Sequence, residues 1–230
     1  MPPKGFLKTA PSTPPLHLLD MDQNIYPVIG ISPGNSYFTD EVIEQLLKEV
    51  VKRYTRTAVL IADTPAISTY IALGYPENRA RRDKALPKGN NLRNKTFKAA
   101  QKLNYSSEQV RIIHWETEIE NNCGYQEEYS QILKLYTLNQ SFQKAADSAT
   151  AEVLEGFGRK ISDLNASTKI AVHYLLAEFA FMEFAPRYFG VRSVAYIYHK
   201  NWPIYEKHIA GEFDNHPKPY LKFVIIEIEP

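Results

Sequence analysis

A single-domain α/β fold built on a mainly parallel, Rossmann-like sheet is what this sequence predicts, on three observations. Short runs rich in Val, Ile, Leu and Ala recur at residues 25–31, 57–62, 110–115, 194–199 and 221–228. Between them lie stretches with apolar residues at three- and four-residue steps, the period of a helix with one buried face. The short runs are nearly continuous in hydrophobicity instead of strictly alternating, which is how strands covered on both faces read. Strands of this kind alternating with helices predict five mainly parallel strands flanked by helices.

Each element has its own warrant. Residues 1–24, with Pro2, Pro3, Pro11, Pro14 and Pro15, are aperiodic and read as an extended arm on or beside a folded domain spanning 25–230. Ile25 to Ile31 is a buried strand stopped by the turn sequence Ser32-Pro33-Gly34-Asn35-Ser36. Val42, Leu46, Leu47 and Val50 then place a helix from Phe38 to about Tyr54. Thr57 to Ala62 is the second strand, and Asp63-Thr64-Pro65 opens a helix over Ala66 to Leu73. Residues 76–103 are helical in pattern, with a break expected at Leu86-Pro87-Lys88-Gly89, since proline lacks the amide donor and glycine loosens the backbone. A third strand over Val110 to Trp115, helical pattern over 127–160 and 167–184, and strands over 194–199 and 221–228 complete the chain.

Bulk composition narrows the function classes. The 230 residues carry a net charge of +1 with 44% hydrophobic and 23% charged residues, which argues against disorder and against global attraction to nucleic acid. Cys123 is the only cysteine, so no internal disulfide framework exists, and the six scattered histidines give no recognisable zinc spacing. No apolar run approaches the roughly 18 residues of a membrane span, and no signal-peptide core is present. A soluble, cytoplasmic protein without metal or cofactor is expected, and in that setting the glycosylation sequons at Asn94, Asn104, Asn139 and Asn165 carry no meaning.

Gly30-Ile31-Ser32-Pro33-Gly34 matches the nucleophile-elbow pattern of serine hydrolases. That chemistry needs the backbone N–H after the serine for its oxyanion hole, and Pro33 has none. The serine also follows the first strand, where the hydrolase elbow comes after several.

Extended to Phe38, the segment Gly30-Ile31-Ser32-Pro33-Gly34-Asn35-Ser36-Tyr37-Phe38 resembles the signature of the cyclodipeptide synthases, enzymes that join two amino acids taken from aminoacyl-tRNAs. Alone it is an ordinary Ser-Pro-Gly-Asn turn. Two further matches follow in family order. Tyr174-Leu175-Leu176-Ala177-Glu178 resembles the family's second motif, and its four-residue spacing puts Tyr174 and Glu178 on one helix face. Ser193-Val194-Ala195-Tyr196-Ile197-Tyr198-His199, followed by Trp202-Pro203, resembles the strand that bears the family's catalytic tyrosine and a histidine. Tyr196 and Tyr198 would share one face of such a strand. The resemblance covers roughly residues 25 to 228 and implies a domain similar to the class I aminoacyl-tRNA synthetase catalytic domain.

By this resemblance Ser32 accepts the first aminoacyl group, Glu178 and Tyr174 hold its ammonium, Tyr198 relays a proton, and Asn35 and His199 orient groups around the acyl oxygen. Aminoacyl-tRNA is already an activated ester, so passing its acyl group to a serine needs neither ATP nor metal, and a ping-pong route through aminoacyl- and dipeptidyl-enzyme follows. Carried over position by position, Val28, Gly30, Leu60, Ala62, Phe181 and Tyr196 would form the first side-chain pocket, a mostly apolar set.

Arg79, Arg81, Arg82, Lys84, Lys88, Arg93, Lys95, Lys98 and Lys102 crowd into 24 residues against Asp83 alone, a local charge of +8 that leaves −7 for the rest. Such one-signed concentration is the footprint of a polyanion site, although a charge run is commonly a solvated helix face. In the family the equivalent basic helix contacts tRNA, so two aminoacyl-tRNAs are the expected partners of a monomer. A non-catalytic RNA-binding module would explain the cations but not the set Ser32, Tyr174, Glu178 and Tyr198. A nucleotidyl transferase would need phosphate-binding glycines that are absent.

Overall fold

The computed structural model describes residues 5–9 and 25–228. Six strands, β1 (Gly5–Thr9), β2 (Ile25–Ile31), β3 (Thr57–Ile61), β4 (Val110–His114), β5 (Ser193–Tyr198) and β6 (Leu221–Ile228), form one sheet in the order β1-β6-β5-β2-β3-β4. The five strands expected from the sequence pair in parallel throughout. The sixth was not expected: β1 joins β6 antiparallel, with Gly5 opposite Ile228 and Thr9 opposite Val224. The rest of the expected N-terminal arm lies outside the described residues.

Helices α1 (Asp40–Tyr54), α2 (Ala66–Ala72), α3 (Leu86–Lys102), α4 (Cys123–Leu138), α5 (Gln140–Gly156), α6 (Leu164–Phe189) and α7 (Pro203–Ala210) complete the fold. Because side chains alternate along a strand, each parallel strand serves two cores. Ile29, Ile31, Val59, Ile61, Ile197 and Val224 point to the face covered by α1 and α3. Val28, Leu60, Tyr196 and Phe223 point to the other, against apolar residues of α4 to α7. The single helical stretch expected over 127–160 is two helices that meet at Asn139, whose side-chain oxygen accepts the Phe142 N–H at 2.8 Å and so starts α5.

The break expected at Pro87-Lys88-Gly89 does not occur. Helix Glu77–Arg79 runs into a π-helical segment, Ala80–Ala85, and that into α3, with helical backbone angles at each junction. Proline in a regular helix clashes with the carbonyl four residues back, and here the widened π turn occupies those positions. Gly89 does not loosen the chain either. It faces the Asp63 side chain so closely that any Cβ would collide with it, and this approach lets α3 seat against the end of β3.

From β2 the chain moves outward to β3 and β4, then returns to place β5 on the other side of β2. The C-terminal ends of β2 and β5 therefore flank a topological switch point, the place where open α/β sheets leave a crevice.

Candidate active site

Ser32 is the first residue past β2 and Tyr198 the last of β5, so two segments 166 residues apart meet at the crevice. Ser32 Oγ and Tyr198 Oη are 2.9 Å apart. Burial pushes the Tyr198 phenol up to about 12, and the Glu178 charge adds to the shift against the hydrogen bond from Ser32. At neutral pH Tyr198 therefore holds its proton and can pass it only by exchange, as a relay between two oxygens.

The turn after Ser32 is fixed from within. Asn35 Oδ1 accepts the Tyr37 N–H at 3.0 Å, and Asn35 Nδ2 donates to His199 Nε2 at 2.9 Å. His199 stacks on Tyr37 at 4.1 Å between ring centres and meets the edge of Phe38 at 5.4 Å. Burial, and secondarily Lys200, pull its pKa down to about 4, so the ring is neutral and accepts from Asn35. His199 braces the turn. Its Nε2 is occupied by Asn35, and among the described residues no carboxylate–histidine–serine chain forms.

Glu178 comes from the middle of α6 and is 9% exposed. Its two oxygens accept from Tyr174 Oη at 3.2 Å and Tyr205 Oη at 3.0 Å. Tyr196 turns its hydroxyl toward the same carboxylate without closing a well-formed hydrogen bond. Burial lifts the Glu178 carboxyl to about 7, with the phenols acting in the opposite direction. A buried carboxylate ringed by phenols, with no cation beside it among the described residues, is an acceptor site for a ligand ammonium.

Ser32, Asn35, Tyr174, Glu178, Tyr196, Tyr198 and His199 all line one cavity of about 360 Å³. The structure thus brings together every expected catalytic residue. Tyr205 belongs with them and was missed. Its signal was Trp202-Pro203, a helix start that sets α7 and points Tyr205 back at α6.

The expected first side-chain pocket is different. Of its six residues only Tyr196 lines the cavity. Val28, Leu60, Ala62 and Phe181 are fully buried in the core behind it. Gly30 is the reason Tyr196 fits, for a Cβ there would sit 3.0 Å from its hydroxyl and 3.1 Å from its ring.

The basic segment also departs from expectation. Arg93 is turned inward, with its guanidinium 2.5 Å from the buried Asp63 carboxylate, and Lys95 reaches the Phe38 carbonyl at 3.3 Å. Lys88 holds its ammonium beside Gly34, which lines the cavity. Among the described residues no helix is long and apolar enough to cross a membrane.

Comparison with known proteins agrees with this geometry. The chain is 26% identical to the cyclo(L-leucyl-L-leucyl) synthase of Bacillus subtilis over 87% of its own length and 81% of that protein's. A cyclodipeptide synthase structure from Bacillus thermoamylovorans superimposes with a TM-score of 0.81 at 22% identity, covering 98% of this chain and 97% of that one. One from Mycobacterium tuberculosis, described as relating these enzymes to type I tRNA synthetases, gives 0.79 at 19% identity over 98% and 94%. A more distant one from Candidatus Glomeribacter gigasporarum, bound to Phe-tRNAPhe, gives 0.58 at 16% over 87% of each chain. The sequence model of the cyclodipeptide synthases itself matches residues 21–228, nearly everything from the crevice to the last strand, and the chain belongs to that family.

Proposed function

We propose that this protein makes a cyclic dipeptide from two aminoacyl-tRNAs through covalent intermediates on Ser32. The observation that carries the reading is one cavity holding a serine hydroxyl hydrogen-bonded to a partly buried tyrosine and, beside it, a carboxylate ready for an ammonium. A complex of a structurally similar protein with Phe-tRNAPhe supports tRNA as the acyl carrier.

In the first step the substrate's α-ammonium lies on Glu178, between the Tyr174 and Tyr205 hydroxyls, which sets its ester carbonyl over Ser32. Ser32 Oγ forms the new ester bond, and the bond to the terminal ribose oxygen breaks. The serine proton is transferred to the departing ribose oxygen. One ester replaces another, so the step is close to balanced in energy.

The enzyme-bound amine must be neutral to attack the second aminoacyl ester. Glu178, titrating at about 7, is matched to take a proton from an α-ammonium, whose own pKa is near 8. Attack by that amine forms the peptide bond, releases the second tRNA and leaves a dipeptidyl ester on Ser32. The new terminal amine then attacks the Ser32 ester, the ring closes, and Ser32 Oγ recovers its proton through Tyr198. The compartment this implies is the cytoplasm, where aminoacyl-tRNA is made.

Ser32→Ala tests the reading. It should abolish product while leaving the fold intact, because a half-buried hydroxyl at a strand end contributes little to stability. Intact-protein mass spectrometry after mixing with aminoacyl-tRNA should show an acyl adduct on the wild type alone. Cyclic dipeptide made by the variant would remove the covalent route.

A further inference from the structure

Helix α6 buries a second carboxyl group besides Glu178. Glu183 has only 11% of its side chain exposed and is met by three residues from other parts of the chain. His208 Nε2, on α7, donates to one oxygen at 2.7 Å, and Tyr220 Oη, just before β6, donates to the other at 2.5 Å. Lys218 Nζ lies 3.9 Å from the first oxygen. His208 and Lys218 are themselves 1% and 5% exposed. None of the four lines the cavity that holds Ser32, so this cluster belongs to no step described above.

The chain after α7 is folded to bring Lys218 there. Gly211 ends the helix at φ +76, and a Cβ on it would lie 2.5 Å from the Pro217 nitrogen, so the segment doubles back across the helix end. The Lys218 N–H donates to the Ile209 carbonyl at 2.8 Å. Its ammonium donates to Asp214 at 2.7 Å and to the His216 carbonyl at 3.0 Å.

Helix α7 is eight residues long and carries Tyr205, whose hydroxyl must reach Glu178. Its other contacts are apolar or aromatic: Ile204 and Ile209 are buried, and Tyr205 lies on Phe223 at 5.1 Å between ring centres. Such contacts are non-directional and let a short helix slide or turn slightly, whereas a hydrogen bond fixes both distance and angle. His208 follows Tyr205 by three residues and so shares its side of α7, and Phe179 of α6 touches both rings, at 4.7 and 4.8 Å. The two helices are therefore fastened at two places one turn apart, Tyr205 to Glu178 and His208 to Glu183. Buried ionic clusters commonly add no stability over apolar side chains of equal volume, and their best-attested use is to fix register.

We infer that Glu183 is a positioning residue for the reaction: through His208, Tyr220 and Lys218 it fixes where α7 sits on α6, and so holds the Tyr205 hydroxyl on Glu178. The inference rests on Glu178 as the ammonium site. Glu178 is faced by Tyr174 from its own helix, by Tyr196 and Tyr198 from β5 and by Tyr205 from α7, with no charged side chain among the described residues. Only the Tyr205 bond thus depends on α7. Loss of a bond that favours the ionised form raises the pH at which Glu178 ionises, and a protonated Glu178 does not hold an ammonium.

The test titrates Glu178 in the unliganded protein by infrared difference spectroscopy of its carboxyl band, with Glu178→Gln as the blank and thermal melts to confirm folding. Tyr205→Phe sets the scale, a rise of about one pH unit for one hydrogen bond to a charged group. His208→Leu fills the space beside Phe142 and Phe179 but donates nothing, and should raise the midpoint by about half a unit or more. The acid limb of kcat/KM for cyclic dipeptide formation should move up with it. His208→Gln, whose amide still donates to Glu183, should return both to the wild-type position. Tyr220→Phe, a milder loss at the same carboxyl, should shift both in the same direction and carries the test if His208→Leu does not fold. In His208→Leu/Tyr205→Phe the shift should equal that of Tyr205→Phe alone, because both changes act on one bond. Tyr188→Phe removes an equivalent phenol bond, to Glu118 at 2.7 Å near the end of α6, and should shift neither. A wild-type midpoint in folded His208→Leu and Tyr220→Phe, an equal shift in Tyr188→Phe, or shifts that add in the double variant would overturn the inference. If the midpoint moves and the kcat/KM profile does not, the anchoring of α7 stands and the ammonium role of Glu178 falls.

Discussion

Replacing Glu178 by glutamine should stabilise the unliganded protein, and by more at pH 8 than at pH 5. The carboxyl is buried and accepts from Tyr174 and Tyr205, with burial lifting it from 4.5 to about 7. Below pH 4.5 the folded and unfolded chains both carry the proton, so the shift has no effect on stability. Between 4.5 and 7 the folded chain keeps a proton that the unfolded chain has lost, and the wild type loses stability as pH rises. Above 7 both are ionised and the deficit is constant, about 3 kcal/mol at about 1.4 kcal/mol per pH unit. Glutamine has the same shape, can still accept from one phenol and donate to the other, and never ionises. The gain from Glu178→Gln should therefore grow by about 2.5 kcal/mol between pH 5 and pH 8. For a chain of this size that is roughly 5–10 °C in melting temperature. Thermal melts of both proteins in matched buffers measure it, and changes in other carboxylates cancel in the difference. The same variant should make no cyclic dipeptide, having lost the anion that holds the ammonium. A difference that stays flat or shrinks with rising pH would refute the reasoning, because the carboxylate would then be stabilised in place and not held ready for a ligand.

Two further perturbations test other parts of the structure. Tyr198→Phe keeps the ring and removes the hydroxyl 2.9 Å from Ser32, so single-turnover assays should show Ser32 still acylated while ring closure slows by roughly 10²- to 10⁴-fold; acylation and product falling together would move Tyr198 to the first transfer. Gly89→Ala should destabilise by about 1–3 kcal/mol despite alanine's better helix propensity, because the new methyl collides with Asp63, itself pinned by Arg93; a variant as stable as wild type by denaturant melt would show that α3 can shift outward freely.

The five parallel strands were legible because burial on both faces demands continuous apolar runs, and such runs can be read locally. The candidate catalytic set was legible through resemblance, since nothing in the spacing of Ser32, Glu178 and Tyr198 brings them to one point; the switch point between β2 and β5 does that. What could not be read depends on distant partners. Asp63, 30 residues from Arg93, turns a predicted RNA contact inward, and Glu44, 58 residues from Lys102, pairs with another. Gly89 read as a weak point because its packing partner lies on another element. The apolar character of Val28, Leu60, Ala62 and Phe181 marked them equally as pocket or core, and the bulk of Tyr196 decided for core.

The strand order also governs when this enzyme comes into being during synthesis. The central strand β2 finds one neighbour early, in β3, but its other neighbour, β5, ends only at Tyr198, and β1 waits for β6 at residues 221–228. Pairings so far apart in sequence close late, since the chain must pay the entropy of a long loop before gaining the contact. Ser32 leaves the ribosome long before its partner Tyr198, which follows 166 residues later. A growing chain beside a ribosome is surrounded by aminoacyl-tRNA, and the same topology that builds the crevice keeps it unassembled until β5 has been made.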